Sequence, residues 1–181
     1  MHMSSILVPV VSEAISKPLV LVALVSVTVV YLSSEFLRLR GKSIPFITAF
    51  TLQMSRPGEK ERLILRPTYL ALGVILVLLL FPTNVAYASI AVAALGDPVA
   101  ALIGRRFGRI RYRGRSIEGF AFGLIAAFAG ASIWITPMLA LWGALAGMGL
   151  EFFGIFEDNL TIPIGAALTM LLLGNIFTMT L

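Results

Sequence analysis

Asp97 is the residue whose type and position most clearly suggest chemistry, because it lies within the apolar stretch Ala94-Leu-Gly-Asp-Pro-Val-Ala-Ala. An ionisable side chain in a membrane-spanning helix costs about 3 kcal/mol on insertion scales, so it normally faces a polar cavity or a partner. The neighbouring Gly96 and Pro98 permit a helix break, which would free backbone groups to line such a cavity. We take Asp97 as a functional candidate, and an ion pair with an arginine is the structural alternative.

A basic segment follows, with six arginines in the eleven residues 105–115. Arginine carries a permanent charge and binds phosphate oxygens in a bidentate manner, so the segment is typical of a polyphosphate site. Membrane orientation and attraction to anionic lipid headgroups explain the same charge without a site. Ser116 then suits the N-cap of a helix, and Glu118 would lie in its first turn, where the macrodipole favours an acid. Capping explains Ser116 as well as function does.

Further acids follow at Glu151 and in the cluster Glu157-Asp158-Asn159. Carboxylate and amide oxygens suit Mg²⁺, which takes one or two protein ligands and fills its other positions with water and substrate phosphates. A solvated loop is the alternative for this cluster. Glu35 and Arg38 lie about one helical turn apart and are either part of the site or a simple i,i+3 pair.

Arginines and acids together predict a site for a nucleoside triphosphate with Mg²⁺ that opens toward the lipid. The sequence contains neither the P-loop pattern Gly-x-x-x-x-Gly-Lys-Ser/Thr nor the Rossmann glycine fingerprint, so another architecture would bind the phosphates. Cysteine is absent and His2 is the single histidine, which excludes thiolate chemistry and makes histidine catalysis an unfavoured explanation.

The elements that must position these residues are membrane helices. Of the 181 residues, 59% are hydrophobic and 13% are charged, and the mean hydropathy of +0.97 excludes a soluble domain. We predict one all-α domain over 1–181, a polytopic bundle of about six transmembrane helices with a short cytoplasmic hairpin at 109–115. Residues 44–54 are predicted as a helix, either in the membrane interface or within a plain loop. The six apolar segments are 18–34, 65–82, 84–104, 118–136, 138–156 and 160–181.

Positive charge predicts how the bundle lies in the membrane. Seven of the 14 Lys and Arg residues fall between the first segment and the first turn of the second, which includes Arg66, and six fall between the third and fourth. In a six-span bundle both connections lie on one side, and the positive-inside rule makes that side cytoplasmic, with both termini outside. The connection that carries residues 157–159 falls on the same side. A prokaryotic chain would then be a multi-pass plasma-membrane protein with its site on the cytoplasmic face.

With this topology, the motifs resemble a known family, the membrane-embedded CTP-dependent polyprenol kinases. This family includes dolichol kinase, phytol kinase and the CTP-using diacylglycerol kinase of fungi. The motifs are Gly96-Asp-Pro-Val-Ala-Ala-Leu-Ile-Gly-Arg-Arg-Phe-Gly108, Arg115-Ser-Ile-Glu-Gly119 and Glu157-Asp-Asn-Leu-Thr-Ile-Pro163, preceded by the pair Glu35 and Arg38. Two positions depart from the family, which often has Lys in place of Arg115 and a small residue in place of Phe120.

The resemblance implies transfer of the γ-phosphoryl group of CTP to the hydroxyl of a membrane isoprenoid alcohol, such as a polyprenol, dolichol, geranylgeraniol or phytol. It also implies Mg²⁺ or another divalent cation. Asp97 would bind the metal or act as the base, and Glu118 is the competing base. The nucleotide would be held by Gly104, Arg105, Arg106, Gly108, Arg115 and Ser116. The metal or nucleotide site would be completed by Glu157, Asp158 and Asn159, with Glu35, Arg38 and Glu151 as further members.

The expected partners are CTP, the lipid alcohol and the bilayer, without nucleic acid, and many Gly and Ala residues allow a homodimer through close helix packing. One alternative is a CTP:lipid cytidylyltransferase similar to CDP-archaeol synthase, which would leave CMP on the lipid. That enzyme is expected to carry an Asp-x-x-Asp pair after the basic loop, where this chain has Ser-Ile-Glu-Gly. The other alternative is a small membrane transporter with Asp97 as its ion or proton site.

Overall fold

The computed structural model describes residues 2–42, 44–54, 63–154 and 157–179, and this part of the chain is helical apart from one short hairpin. The predicted all-α fold is therefore confirmed. Along the described chain the elements are a 3-10 turn (His2–Ile6), α1 (Leu7–Ala14), α2 (Lys17–Leu39), α3 (Pro45–Met54), α4 (Arg66–Leu80), α5 (Thr83–Phe107), β1 (Arg111–Tyr112), β2 (Arg115–Ser116), α6 (Ile117–Ala131), α7 (Pro137–Phe153) and α8 (Asp158–Met179).

Each of the six predicted apolar segments contains a helix, namely α2 and α4 to α8, and the predicted helix over 44–54 is α3. Proline in the first turn of α2, α4 and α7 fits these starts, because proline lacks an amide hydrogen that would be unpaired there. Outside the described residues lie the ends of the fifth and sixth predicted segments and part of the first basic connection: 155–156, 180–181, Arg56, Lys60 and Arg62.

Three helices of the described chain are long and apolar enough to span a membrane. They are α2 with 23 residues, α5 with 25, and α8, whose apolar stretch from Asp158 to Ile176 has 19. Helices α4, α6 and α7 have 15, 15 and 17 residues, fewer than the roughly 20 that a hydrocarbon core of about 30 Å requires. Helix length thus supports three spans and does not confirm the predicted six.

Helix α5 is central and packs against α6, α7 and α8. Its buried surface consists mainly of alanine and other small residues. A Cβ atom at Gly123 of α6 would lie 2.8 Å from the Cβ of Ala100 and 2.9 Å from the carbonyl oxygen of Gly96, so glycine is required for this close approach. The contact fixes the second half of α5 relative to the start of α6.

Helix α5 runs without a break through Gly96 and Pro98, where the sequence permits one. Pro98 has no amide hydrogen and so removes one helical hydrogen bond. Neighbouring helices nevertheless support the backbone at this level, because a Cβ atom at Gly96 would come within 3.1 Å of the Cβ of Ala127 on α6. Packing of this kind allows proline inside a membrane helix. Asp97 is therefore positioned by an intact helix.

The bundle has two ends of different character. The arginine-rich end carries the end of α5, the hairpin and the start of α6. At the opposite end, the hydroxyl of Tyr87 donates to Ser12 over 2.6 Å and the indole of Trp134 donates to Glu13 over 2.6 Å. These bonds fasten the N-terminal helix α1 to the bundle. The sequence did not predict α1, because its apolar run is too short to indicate a span.

Candidate active site

The predicted hairpin is present at the arginine-rich end. Strands β1 and β2 pair in antiparallel register, with Arg111 opposite Ser116. The two connecting residues, Arg113 and Gly114, have φ angles of 48° and 87°, the positive values that a two-residue type I′ turn requires. Strand β2 is followed at once by α6, so the hairpin leads into this helix without further loop residues on that side.

Ser116 fastens the hairpin to both helices. Its side chain is buried, and its Oγ accepts a hydrogen bond of 2.9 Å from the amide of Gly119, as expected of an N-cap. A Cβ atom at Gly104 would lie 2.7 Å from the Oγ of Ser116, and one at Gly108 would lie 2.6 Å from its Cβ. Both glycines, predicted to contact nucleotide, thus have a structural role in packing α5 against the hairpin.

A polar cavity of about 280 Å³ lies between α5, the hairpin and the facing ends of α7 and α8. This volume is close to the lower end for small-molecule pockets, roughly 300 Å³. Three arginines, three carboxylates and one hydroxyl contribute to its wall. The lining residues are Asp97, Ala100, Ala101, Gly104, Arg105, Arg111, Gly114, Arg115, Ser116, Phe120, Glu151 and Asp158.

Arg115 links acids from two helices. Its Nη2 lies 2.5 Å from Oδ2 of Asp158 at the start of α8, and its Nη1 donates to Oε1 of Glu151 near the end of α7. Glu151 is buried, and Oδ1 of Asp158 is buried without a hydrogen-bond partner among the described residues. A guanidinium between two carboxylates offsets their mutual repulsion and holds all three side chains around the cavity.

Arg105 and Arg111 complete the basic wall. Nη2 of Arg111 donates to the carbonyl of Gly104 over 3.0 Å, and Nε of Arg105 donates to the carbonyl of Ala101 over 3.1 Å. Both carbonyls belong to the C-terminal part of α5, where the macrodipole favours cations. Each guanidinium keeps further N–H groups for an anion in the cavity. Arg111 was missed as a site residue, because the sequence alone does not indicate which arginines of the hairpin face inward.

Glu118 lies in the first turn of α6 and does not line the cavity. Its Oε1 accepts hydrogen bonds from the amides of Arg109, over 3.0 Å, and Ile110, over 3.3 Å. These amide hydrogen bonds favour the charged form of the carboxylate. A carboxylate held ionised in this way is a weak proton acceptor. Its contacts close the base of the hairpin.

Four further residues predicted to bind the nucleotide or metal, including Gly108, also lie off the cavity. The guanidinium of Arg106 is placed over the ring of Phe107, 5.7 Å from its centroid. Glu157 is exposed. Nδ2 of Asn159 donates to the carbonyl of Arg66 over 3.2 Å, which joins the start of α8 to the start of α4.

The donor set of the cavity suits Mg²⁺ without forming a complete cage. Of the predicted ligands, Asp97 and Asp158 line the cavity, and Glu151 adds a third carboxylate. Within the described ranges, no three or more His, Asp or Glu side chains are grouped closely enough to hold a metal ion by themselves. Mg²⁺ in phosphate sites needs one or two carboxylates and takes its other ligands from water and substrate. The unpartnered Oδ1 of Asp158 is a suitable donor.

Glu35 and Arg38 form a two-pronged ion pair on α2, and neither residue lines the cavity. Nε of Arg38 lies 2.9 Å from Oε1 of Glu35, and Nη2 lies 2.8 Å from Oε2. Oε2 also accepts from the amide of Ile64 over 3.1 Å, and the carbonyl of Ile64 accepts from Tyr31 over 2.7 Å. The pair thus anchors the residues that lead into α4.

Known proteins resemble the chain over different shares of its length. It is 24% identical over 181 residues to an uncharacterized protein of Rickettsia prowazekii (strain Madrid E). This alignment covers 93% of this chain and 89% of that protein. It is also 38% identical over 93 residues to the phytol kinase of Synechocystis sp. That alignment covers 44% of this chain and 40% of the phytol kinase. No protein-family model and no solved structure matches. The chain is therefore similar to a phytol kinase over less than half of either protein.

Proposed function

We propose that this protein is a membrane lipid kinase that transfers the γ-phosphoryl group of CTP to the hydroxyl of an isoprenoid alcohol. The cavity carries the proposal, because it brings three arginines and three carboxylates together at one end of a helical membrane bundle. Partial similarity to a phytol kinase supports the class of reaction. The choice of CTP and of an isoprenoid acceptor rests on the family resemblance of the motifs.

The cavity extends from the hairpin at the end of the bundle to a position well inside it. This extent suits a reaction between a soluble nucleotide and a membrane alcohol. Asp97 lies ten residues before the last residue of α5, which corresponds to about 15 Å along a helix. Gly114, at the turn of the hairpin, lines the same cavity at its outer end. The phosphates would enter between the arginines, and the hydroxyl of the lipid would approach Asp97.

We place this end on the cytoplasmic side of a six-span bundle, with both termini on the other side, because its connections contain 13 of the 14 Lys and Arg residues. The contacts of α1 at the opposite end agree with this placement of the N-terminus. Helices α4, α6 and α7 would cross with local thinning of the bilayer or with non-helical flanks. In a prokaryote the membrane would be the plasma membrane.

In the proposed reaction Asp97 accepts the proton of the lipid hydroxyl. The alcohol oxygen bonds to the γ-phosphorus while the bond between that phosphorus and the bridging oxygen of CDP breaks, and CDP leaves. Arg105, Arg111 and Arg115 stabilise the charge on the phosphate oxygens, which is the main contribution a protein makes to this chemistry. A divalent cation bound with the nucleotide would add positive charge there, held by Asp158 and Glu151.

The test is a nucleotide and lipid panel with product identification. The protein in liposomes is incubated with CTP labelled at the γ-phosphate and with geranylgeraniol, phytol, a polyprenol or diacylglycerol. We expect label on an isoprenoid alcohol, release of CDP, and weaker transfer from ATP or GTP. In a parallel sample with CTP labelled at the α-phosphate, label on the lipid with release of pyrophosphate would identify a cytidylyltransferase instead. Ion flux without nucleotide, and no labelled lipid, would favour the transporter.

A further inference from the structure

Half of the arginines in the basic segment lie outside the cavity, and these are Arg106, Arg109 and Arg113. All three side chains are exposed. Within the described part of the chain they form no side-chain hydrogen bond or salt bridge, in contrast to Arg115, Arg111 and Arg105. Three exposed positive charges within eight residues of sequence, without such partners among the described residues, attract anions from outside the protein.

Large apolar side chains are exposed among these arginines. Phe107 is 58% exposed and Ile110 is 61% exposed. Exposed apolar residues that alternate with arginines are typical of a surface in the membrane interface, where the apolar groups enter the acyl region and the charged ends stay among the headgroups. A surface that faced only water would gain nothing from Phe107 and Ile110.

The position of the hairpin in the chain, shortly after a long apolar helix, indicates its depth relative to the bilayer. It follows α5, a helix long enough to cross a bilayer, after residues 108–110, and it leads directly into α6. With α5 crossing the bilayer, the exposed arginines that follow it would lie at the level of the lipid phosphates. Guanidinium groups bind phosphate oxygens in a bidentate manner, so the anion that fits both the chemistry and the height is an anionic phospholipid headgroup.

We infer that Arg106, Arg109 and Arg113, together with Phe107 and Ile110, form an outward arginine face that binds anionic phospholipids and holds the hairpin in the membrane interface. The inference goes beyond the proposed function, because it requires neither nucleotide nor catalysis. The same hairpin carries two cavity arginines. Headgroup binding on the outward side would therefore also hold the basic wall of the cavity in place.

The experiment exploits the absence of cysteine from the chain. An Ile110→Cys variant is labelled with a fluorophore and reconstituted in phosphatidylcholine vesicles that contain about one third phosphatidylglycerol. Bromine quencher is attached to the phosphatidylglycerol in one sample and to the phosphatidylcholine in another. We expect the anionic lipid to quench about fivefold more strongly per molecule, which is the preference that a single arginine provides near a surface.

Two matched double variants decide whether the outward face causes this preference. Arg109→Gln with Arg113→Gln removes two of the three outward charges and should lower the quenching ratio by about threefold or more, whereas Arg40→Gln with Lys42→Gln removes the same charge elsewhere and should change it by less than about 1.5-fold. Lysine at 109 and 113 should restore the preference and shows that the fold is intact. A ratio near one in the labelled parent would overturn the inference, as would an equal fall in both doubles. Loss of preference in inorganic phosphate, compared with chloride of the same ionic strength, would mean that the face binds free anions.

Discussion

The region from Asp97 to Glu118 has two sides that the structure separates. The cavity side carries Asp97, Arg105, Arg111 and Arg115. Arg106, Arg109, Arg113 and Glu118 lie off the cavity. Each cavity arginine has a side-chain hydrogen bond to a carbonyl or carboxylate, and the outward arginines have none within the described residues. Identical residue types a few positions apart thus differ in what they contact, and those contacts indicate which of them serve a site.

The two acids offer the strongest test of this division. Asp97→Asn removes the proposed proton acceptor and is expected to lower kcat by a factor of about 10³. Glu118→Gln keeps an oxygen for the amides of Arg109 and Ile110, so kcat is expected to fall less than about tenfold. Rates of γ-label transfer in liposomes measure both. The opposite order of effects would assign the base to Glu118 and contradict the division.

Arg115 is expected to have the next largest effect. Arg115→Gln removes the cation between Glu151 and Asp158 and should lower kcat/KM about 100-fold, together with the melting temperature. Arg115→Lys keeps the charge and should recover about tenfold of that loss. The matched control is Arg109→Gln, for which kcat/KM should stay within about twofold. An Arg115→Gln enzyme of normal kcat/KM would exclude Arg115 from phosphate binding.

The KM for CTP is expected to distinguish the substitution of Arg111 from that of Arg106, with a smaller effect than those above. Arg111→Gln should raise the KM for CTP about tenfold, because a charge-assisted hydrogen bond to phosphate is lost. Arg106→Gln, off the cavity, should change that KM by less than about twofold. Initial rates over a range of CTP concentrations give both values. Equal increases in KM would show that the basic segment acts through its total charge.

Ser116 provides the smallest and most specific test. Ser116→Ala keeps the Cβ that packs near Gly108 but removes the N-cap oxygen, which is expected to cost about 1 kcal/mol of stability. If Ser116 is only a cap, the KM for CTP should remain within about twofold. Thermal unfolding in detergent and steady-state kinetics measure the two quantities. A large rise in KM without loss of stability would identify Ser116 as a nucleotide ligand.

The features predicted well from the sequence are local ones. Long apolar runs and first-turn prolines predict α2 and α4 to α8, and Gly114 predicts the hairpin turn, because each depends on residues close in sequence. The division of the arginines depends on tertiary contacts, such as the packing of Ser116 against Gly104. The partnership of Arg115 with Glu151 joins residues 36 positions apart.

The acidic cluster at residues 157–159 also shows that tertiary structure is needed to predict which side chains face the cavity. Successive side chains at the start of a helix point about 100° apart, so Asp158 reaches the cavity while Asn159 turns to the carbonyl of Arg66. From the sequence alone, Glu157, Asp158 and Asn159 are predicted to complete the metal or nucleotide site together. Only the orientation of α8 relative to α7 decides which of them faces Arg115.

The direct junction of β2 and α6 has a mechanical consequence. No flexible residue separates the last strand residue, Ser116, from the first helical residue, Ile117. A displacement of α6 would therefore be transmitted directly to the hairpin. In the proposed six-span bundle, a thicker bilayer would have to thin around α6, which has only 15 residues, and the resulting strain would act on the hairpin. The affinity of the hairpin arginines Arg111 and Arg115 for phosphate would then vary with the acyl-chain length of the surrounding lipids.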